Sequence, residues 1–320
     1  MTIAIFSPVV LTLCKLMHKC INIKKVQNTL LEEEAMNYIK EQNGQLWLTE
    51  DERENLKISY RIKEIIYSER SPFQHVMILD SYDFGRMLVL DGVVQTTSID
   101  GHIYNEMITH VPLSLHPSPK KVLIIGGGDC GAAREVAKYE EVEEIHLVEI
   151  DELVVQACKE HLPEVSGNLS DPRVQYVYKD GVQFVKDHMN TYDVIIIDSS
   201  DPIGPAQVLF EYDFYKSVHE ALKEDGIMVC QSQSPIFHMD VLKQTYANIR
   251  HLFPHVYVYT ATVPTYPGGL WSFTLGAKQP VLFERLNTFA KQTKYANADI
   301  LNQCFYLPQF MKEQLQPQSK

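Results

Sequence analysis

The stretch Val122-Leu123-Ile124-Ile125-Gly126-Gly127-Gly128-Asp129-Cys130-Gly131 decides the fold. Four consecutive apolar residues run straight into a glycine loop, and a helical pattern over 132–139 follows. An unbroken apolar run suits a parallel strand covered on both faces. A loop without Cβ atoms lets backbone N–H groups come close to a ligand at the start of the next helix. Toward the C-terminus the alternation repeats, with apolar runs at 145–148, 174–178 and 194–197 and helical patterns at 151–161 and 182–188. Strand alternating with helix predicts an α/β fold with a Rossmann-like doubly wound sheet, whose ligand lies at the carboxyl ends of the strands.

Acidic residues fall at those strand ends. Asp129 sits in the glycine loop. Glu149 ends the second strand 23 residues after Gly126, the spacing at which a carboxylate takes the ribose hydroxyls of an adenosine. Asp180-Gly181 ends the third strand and Asp198 the fourth. One such acid reads equally well as a helix N-cap; four at successive strand ends read as a site.

Toward the N-terminus the periodicity changes. Alternating runs at 58–66, 75–79 and 87–90, broken by Pro72, Asp83-Phe84-Gly85 and Asp91-Gly92, predict a small antiparallel β-domain over 36–115. Asp83-Phe84-Gly85 is a turn here, since nothing else of a kinase accompanies it. His116-Pro117-Ser118-Pro119-Lys120-Lys121 is a linker into the catalytic domain, 116–320. Residues 1–35 stand apart. The apolar run from Ile3 to Met17 has no basic residue before it and is interrupted by Pro8 and Lys15, which suits neither a secretory signal nor a membrane span. Glu32-Glu33-Glu34-Ala35 before Met36 suggests an alternative start, so 1–35 is expected to be a disordered or wrongly assigned extension.

With 29 Lys and Arg against 41 Asp and Glu, the net charge of -12 argues against a sequence-independent grip on nucleic-acid phosphates. Six scattered cysteines without a Cys-x-x-Cys pair suit reduced thiols in the cytoplasm, and no His/Cys spacing announces a metal site.

In this setting the chain resembles the spermidine synthase (polyamine aminopropyltransferase) family. The resemblance rests on Gly126 to Gly131, Val148-Glu149-Ile150-Asp151, Asp180-Gly181, Asp198-Ser199-Ser200-Asp201-Pro202-Ile203-Gly204-Pro205 and Pro264-Thr265-Tyr266-Pro267-Gly268-Gly269, in family order. Leu88-Val89-Leu90-Asp91-Gly92 and Tyr104-Asn105-Glu106-Met107 extend it into the β-domain. It implies a class I S-adenosylmethionine-dependent transferase fold, assembled as a homodimer or homotetramer. The implied reaction moves the aminopropyl group of decarboxylated S-adenosylmethionine, a co-substrate rather than a cofactor, to putrescine, giving spermidine and 5′-methylthioadenosine. By resemblance, Asp198 accepts the proton. Gln74, Gln95, Asp129, Glu149, Asp180, Gly181 and Pro205 serve the donor, and Trp47, Tyr104, Asp201, Gln231 and Tyr266 the acceptor diamine. The segment 199–210 resembles a gate that closes over both substrates.

The chemistry agrees with these assignments. The donor carries a sulfonium and an ammonium but no carboxylate, so Asp129 beside its aminopropyl chain would attract it and would repel intact S-adenosylmethionine. This weighs against a methyltransferase. The nucleophile is the obstacle: an amine of pKa near 10.4 is only about one part in 2,500 neutral at pH 7, a cost of about 4–5 kcal/mol. A base must take its proton as attack proceeds. Three positions depart from the family pattern: Cys130 and Gln233 replace a common glycine and a common carboxylate, and Gly101 stands where an acid often follows Asp100. Cys130 reads as a packing residue. Missing charge at Gly101 and Gln233 leaves agmatine and cadaverine open as acceptors.

Overall fold

A computed structural model describes residues 38–167, 169–202 and 204–316, apart from the side chains of 204 and 205. The extension at 1–35 lies outside the described residues. Strands β1 (Ile39–Gln42), β2 (Gln45–Arg53), β3 (Leu56–Arg70), β4 (His75–Ser81), β5 (Gly85–Leu90) and β6 (Val93–Thr97) form an antiparallel sheet in simple chain order. Two-residue hairpins Asn43-Gly44 and Asp91-Gly92 join β1 to β2 and β5 to β6, with all four φ values positive, as the right-handed strand twist favours.

Helix α1 (Gly101–Leu115) follows, then β7 (Lys121–Gly126), α2 (Gly131–Val136), β8 (Glu144–Glu149), α3 (Glu152–His161), α4 (Pro163–Ser166), β9 (Val174–Tyr178), α5 (Gly181–Lys186) and β10 (Tyr192–Asp198). A 3-10 turn, Gly204–Phe210, leads to α6 (Tyr212–Ala221), β11 (Leu222–Gln231), α7 (Met239–Leu252), β12 (His255–Thr262) and β13 (Leu270–Ala277), with the short α8 (Ala298–Gln303) and α9 (Gln309–Leu315) near the end. The second sheet has the order β12-β13-β11-β10-β7-β8-β9. Strands β9, β8, β7, β10 and β11 run parallel, and β13 and β12 close the edge antiparallel. Chain order reverses between β7 and β10, which places a crevice at their carboxyl ends.

Burial explains the apolar runs. On β7, Val122 and Ile124 enter the core cluster under α1, while Leu123 and Ile125 enter the opposite cluster under α5, α6 and α7. On β10, Val194 and Ile196 alternate with Ile195 and Ile197 in the same way. The two sheets are joined by a third cluster, in which Val76, Ile78 and Leu88 of the antiparallel sheet pack on Val154, Ala157 and Cys158 of α3. Helix α1, inside the span read as the β-domain, packs in the core of the larger sheet. No described helix is long and apolar enough to cross a membrane. Cys130, Cys158, Cys230 and Cys304 are buried free thiols.

Beneath α1 lies a buried polar network. His110 Nε2 lies 2.9 Å from Glu135 Oε2, and Arg134 and Lys138 also pair with that carboxylate. Burial works to raise the Glu135 pKa, but the hydrogen bonds from His110 and Lys138 and the charges of His110 and Arg134 outweigh it and bring it to about 2. A depressed carboxyl stabilises the fold above its unfolded pKa, near 4.5, and that contribution is lost as pH falls toward 2. Glu135→Gln is therefore expected to lower unfolding free energy by about 1–3 kcal/mol at pH 7, since it removes the charged acceptor of buried His110 and of half-buried Arg134 and Lys138. It should also flatten acid unfolding between pH 4.5 and 2; urea titrations at several pH values check both.

Candidate active site

The crevice between β7 and β10 is built by close backbone approach. Gly127 N–H donates to the Asp198 carbonyl at 2.8 Å, and a Cβ on Gly126, whose φ is +81°, would run into that same carbonyl. The glycines are thus required by the packing of the loop on the end of β10, and they aim Asp129 and Asp198 into one cleft. Asp129 is held by the Gly131 N–H at 2.7 Å and by Asn105 Nδ2 at 3.3 Å. Asp198 takes a hydrogen bond from the Tyr104 hydroxyl.

Two chemically distinct halves result. Toward β8 and β9 the wall is largely apolar, with Leu88, Val148, Ile150, Val182 and Leu209 around Glu149, Asp180 and Gly181. Glu149 accepts from the Asp151 N–H at 3.0 Å. Asp180 does cap α5, accepting from the Val182 N–H at 2.8 Å, yet it also lines the cleft, so the capping and binding readings hold together. The other half is polar. Tyr104 and Tyr266 meet edge to face at 5.7 Å between ring centroids. The Tyr266 hydroxyl donates to the Gln95 carbonyl at 2.7 Å. Gln231 Nε2 reaches the carbonyls of Ser199 and Ser200 at 3.3 and 3.4 Å, and the Gln233 amide donates to Asp201.

Two residues that sequence reasoning missed stand here. Glu50 and Glu52 on β2 line the cleft beside Asp201. Glu50 is 5% exposed and accepts from the Val94 N–H at 2.5 Å, while Glu52 meets His238 at 3.0 Å. Period-two alternation was the available signal: Glu50 follows buried Leu48 on the same face of the strand. That alternation also corrects the reading of Trp47. Odd positions of β2 face away from Glu50, and Trp47 lines a depression with Tyr60, Arg61 and Tyr82 on the other side of the 264–269 loop, not the cleft. Gln74 is displaced too. It stands outside the lining of the cleft, with Nε2 donating at 2.9 Å to Asp151, whose other oxygen caps α3. The side chain of Pro205 lies outside the described residues, and the remaining residues named from the sequence line the cleft.

Among the described residues the cleft is lined by seven carboxylates, Glu50, Glu52, Asp129, Glu149, Asp180, Asp198 and Asp201, and by no Lys, Arg or His. Burial first, and the neighbouring Asp129 charge second, push Asp198 up to about 8. Burial likewise pushes Glu50 to about 8 and Glu149 to about 7, and raises Asp129. A site of this kind holds protons that a cation would replace.

The departures from the family pattern take on physical form. Cys130 adopts a left-handed φ of +64°, which favours glycine, and its fully buried thiol is pushed up to about 12 by burial and then by Asp129. It is a packing residue with little thiolate character. Gly101 packs against Thr96, where a Cβ would collide, and lies outside the lining of the cleft. Charge absent at Gly101 is therefore not charge lost from the cleft, whose β2 side carries Glu50 and Glu52. A separate cluster, His116, Asp193 and Asp225, sits beside the linker. Its Asp193 already holds Lys223 at 2.8 Å, and His116 Nδ1 accepts from the Ser118 N–H at 3.2 Å, leaving the ring proton on Nε2; these partners suit an ion-pair cluster rather than a metal ligand set.

A class I methyltransferase-like sheet with a carboxylate-lined crevice at its switch point is the architecture of a group transferase. Comparison with known proteins narrows the class. Residues 101–285 match the family model described as the spermine/spermidine synthase domain, and 46–98 match the spermidine synthase tetramerisation domain. A polyamine aminopropyltransferase of Thermoanaerobacter sp. (strain X514) is 48% identical over 271 residues, covering 84% of this chain and 98% of that protein. One from Desulforudis audaxviator (strain MP104C) is 46% identical over 272 residues, with the same coverage, 84% and 98%. A crystal structure of a spermidine synthase in complex with the transition-state analogue AdoDATO superposes with a TM-score of 0.79 at 38% identity, covering 87% of this chain and 94% of that one. The spermidine synthase of Thermotoga maritima gives 0.76 at 38% identity, covering 82% and 91%. The chain belongs to the spermine/spermidine synthase family.

Proposed function

We propose that the chain transfers the aminopropyl group of decarboxylated S-adenosylmethionine to putrescine, forming spermidine and 5′-methylthioadenosine. The carrying observation is the cleft lined by seven carboxylates without a cationic side chain among the described residues. Such a lining favours a donor with a sulfonium and an ammonium and an acceptor with two ammonium groups, and it disfavours any substrate bearing a carboxylate. The adenosine lies in the apolar half, its ribose hydroxyls on Glu149 and its base near Asp180 and Gly181. Asp129 takes the donor ammonium. The acceptor enters past Glu50, Glu52 and Asp201, and its reacting nitrogen is held by Tyr104 and Tyr266 in line with the carbon beside sulfur. That nitrogen forms the new C–N bond as the C–S bond breaks; the sulfur keeps the electron pair and leaves as neutral methylthioadenosine, and Asp198 takes the proton. The segment 199–210 closes over the pair and excludes water. We assign the protein to the cytoplasm and to a homodimer or homotetramer joined through the N-terminal sheet, as the match to a tetramerisation domain supports.

Product analysis by mass spectrometry with decarboxylated S-adenosylmethionine and putrescine, cadaverine, agmatine or spermidine tests the assignment. Spermidine formed in step with methylthioadenosine is the expected result; product from another amine alone would move the acceptor, and no product would overturn the reading.

A pH dependence follows from the raised carboxyls. Below their pKa values the acids are neutral and attract no cation, so donor binding requires proton release. The kcat/KM for the donor is expected to rise at least tenfold per pH unit below pH 7, one factor of ten for each acid that must ionise, and to level off above about 8. Calorimetry at pH 6.5 in buffers of different ionisation enthalpy should register protons released on binding.

A further inference from the structure

We propose that Asp100 is a positioning residue for the transfer, fixing Tyr266 over the cleft by clamping the preceding Thr265 from the junction between the two sheets. This rests on the aminopropyl-transfer reading above, in which Tyr266 holds the reacting nitrogen.

Asp100 precedes α1 at the N-cap position, yet its side chain makes no capping hydrogen bond. Instead the carboxylate, 4% exposed, turns across to the loop between β12 and β13. Oδ2 accepts from the Thr265 N–H at 2.7 Å and from the Thr265 hydroxyl at 2.5 Å, while Oδ1 accepts from the Thr97 hydroxyl at 2.6 Å. Tyr60, also from the antiparallel sheet, donates to the Thr265 carbonyl at 3.1 Å. All three polar groups of Thr265 are thereby held by the N-terminal layer. The next residue, Tyr266, projects into the cleft, with its ring 4.6 Å from Trp271 and 5.7 Å from Tyr104. Hydrogen bonds to a charged acceptor are about twice as strong as neutral ones, and a carboxylate with two bonds to one residue fixes both place and orientation. A helix start is a poor reason for burying this acid, because it caps nothing; the loop it holds is a reason. Asp100 is absent from the lining of the cleft, so it acts through Tyr266.

A double-mutant cycle tests this in the full chain. Asp100→Asn is expected to lower kcat about 10- to 100-fold, the effect of misplacing a reacting group by about an ångström, with the donor dissociation constant within about threefold of the parent. In a Tyr266→Phe background the same change should cost less than about threefold. An equal loss in both backgrounds, or an unchanged kcat, would overturn the proposal. Hydrogen exchange gives a readout independent of activity: Asp100→Asn should speed exchange of the Thr265 amide about tenfold or more while α1 stays protected. If the parent forms no product from any amine, the functional reading fails by itself, and the exchange result alone decides whether the clamp stands. Should Asp100→Asn not fold, Thr265→Val is expected to lower kcat and Thr265→Ser to keep it; equal rates in these two variants would sink the idea.

Discussion

Asp198→Asn is expected to lower kcat by about 10²- to 10⁴-fold, the range for loss of a positioned proton acceptor, with the donor still bound. Among the described residues no Lys, Arg or His lines the cleft beside the carboxylate. Its neighbours are the Tyr104 hydroxyl, which an amide oxygen can still accept from, and Asp129, whose charge repels it. The backbone carbonyl that fixes Gly127 is untouched. The substitution therefore removes the proposed proton acceptor while keeping the shape of the site. It also removes one member of a like-charged pair, so Asp129 should ionise more readily and donor affinity should change only severalfold. Stopped assays of methylthioadenosine release together with calorimetric donor binding check the two halves of this expectation. A kcat within threefold of the parent would remove Asp198 from the mechanism.

The second large effect concerns Asp129. Asp129→Asn is expected to reduce kcat/KM for decarboxylated S-adenosylmethionine by about 10²-fold or more, since truncating a buried charge partner costs about 2–5 kcal/mol. The same change should tighten inhibition by intact S-adenosylmethionine at least tenfold. The two effects share one cause. The carboxylate is held by the Gly131 N–H and by Asn105 rather than by a cation, so its charge is available to a ligand, attracting an ammonium and repelling a carboxylate. Inhibition constants for the two sulfonium compounds in parent and variant measure this directly. A ratio of affinities that stays constant would mean that the donor amine is read elsewhere.

The parallel core was legible because β7, β8 and β10 carry side chains buried on both faces, which leaves apolar runs that no surface helix could show, whereas β9, at the sheet edge, is only half-buried. Helix α1 was not. Its Tyr104, Asn105, Glu106, Met107 and Ile108 are all buried, so no polar face marks a 3.6-residue period, and Pro112 lies inside it. The closing strands β12 and β13 went unread for a related reason: β13 is buried along nearly its whole length and carries Ser272 and Thr274 in the core, where each finds a partner on β11 or just after it. In the site, the acids at strand ends could be read because strand ends are marked by the change of period. Glu50 and Glu52 could not be read that way. Alternation along β2 marks the face that carries Leu48 and Glu50 as the inward one, but that this face meets the cleft depends on how the sheet docks on α3, which local pattern does not encode. Trp47 and Gln74 show the converse. The resemblance assigned them to the cleft, but one lies on the opposite strand face and the other is taken up by Asp151.

The most direct test of a cleft built for cations alone is a competition. The protein is incubated with putrescine and equal amounts of decarboxylated and intact S-adenosylmethionine, and the nucleoside products are counted by mass spectrometry. Methylthioadenosine matched by spermidine, without S-adenosylhomocysteine, is the result this account predicts. S-adenosylhomocysteine with a methylated amine, or methylthioadenosine without any spermidine, would contradict it.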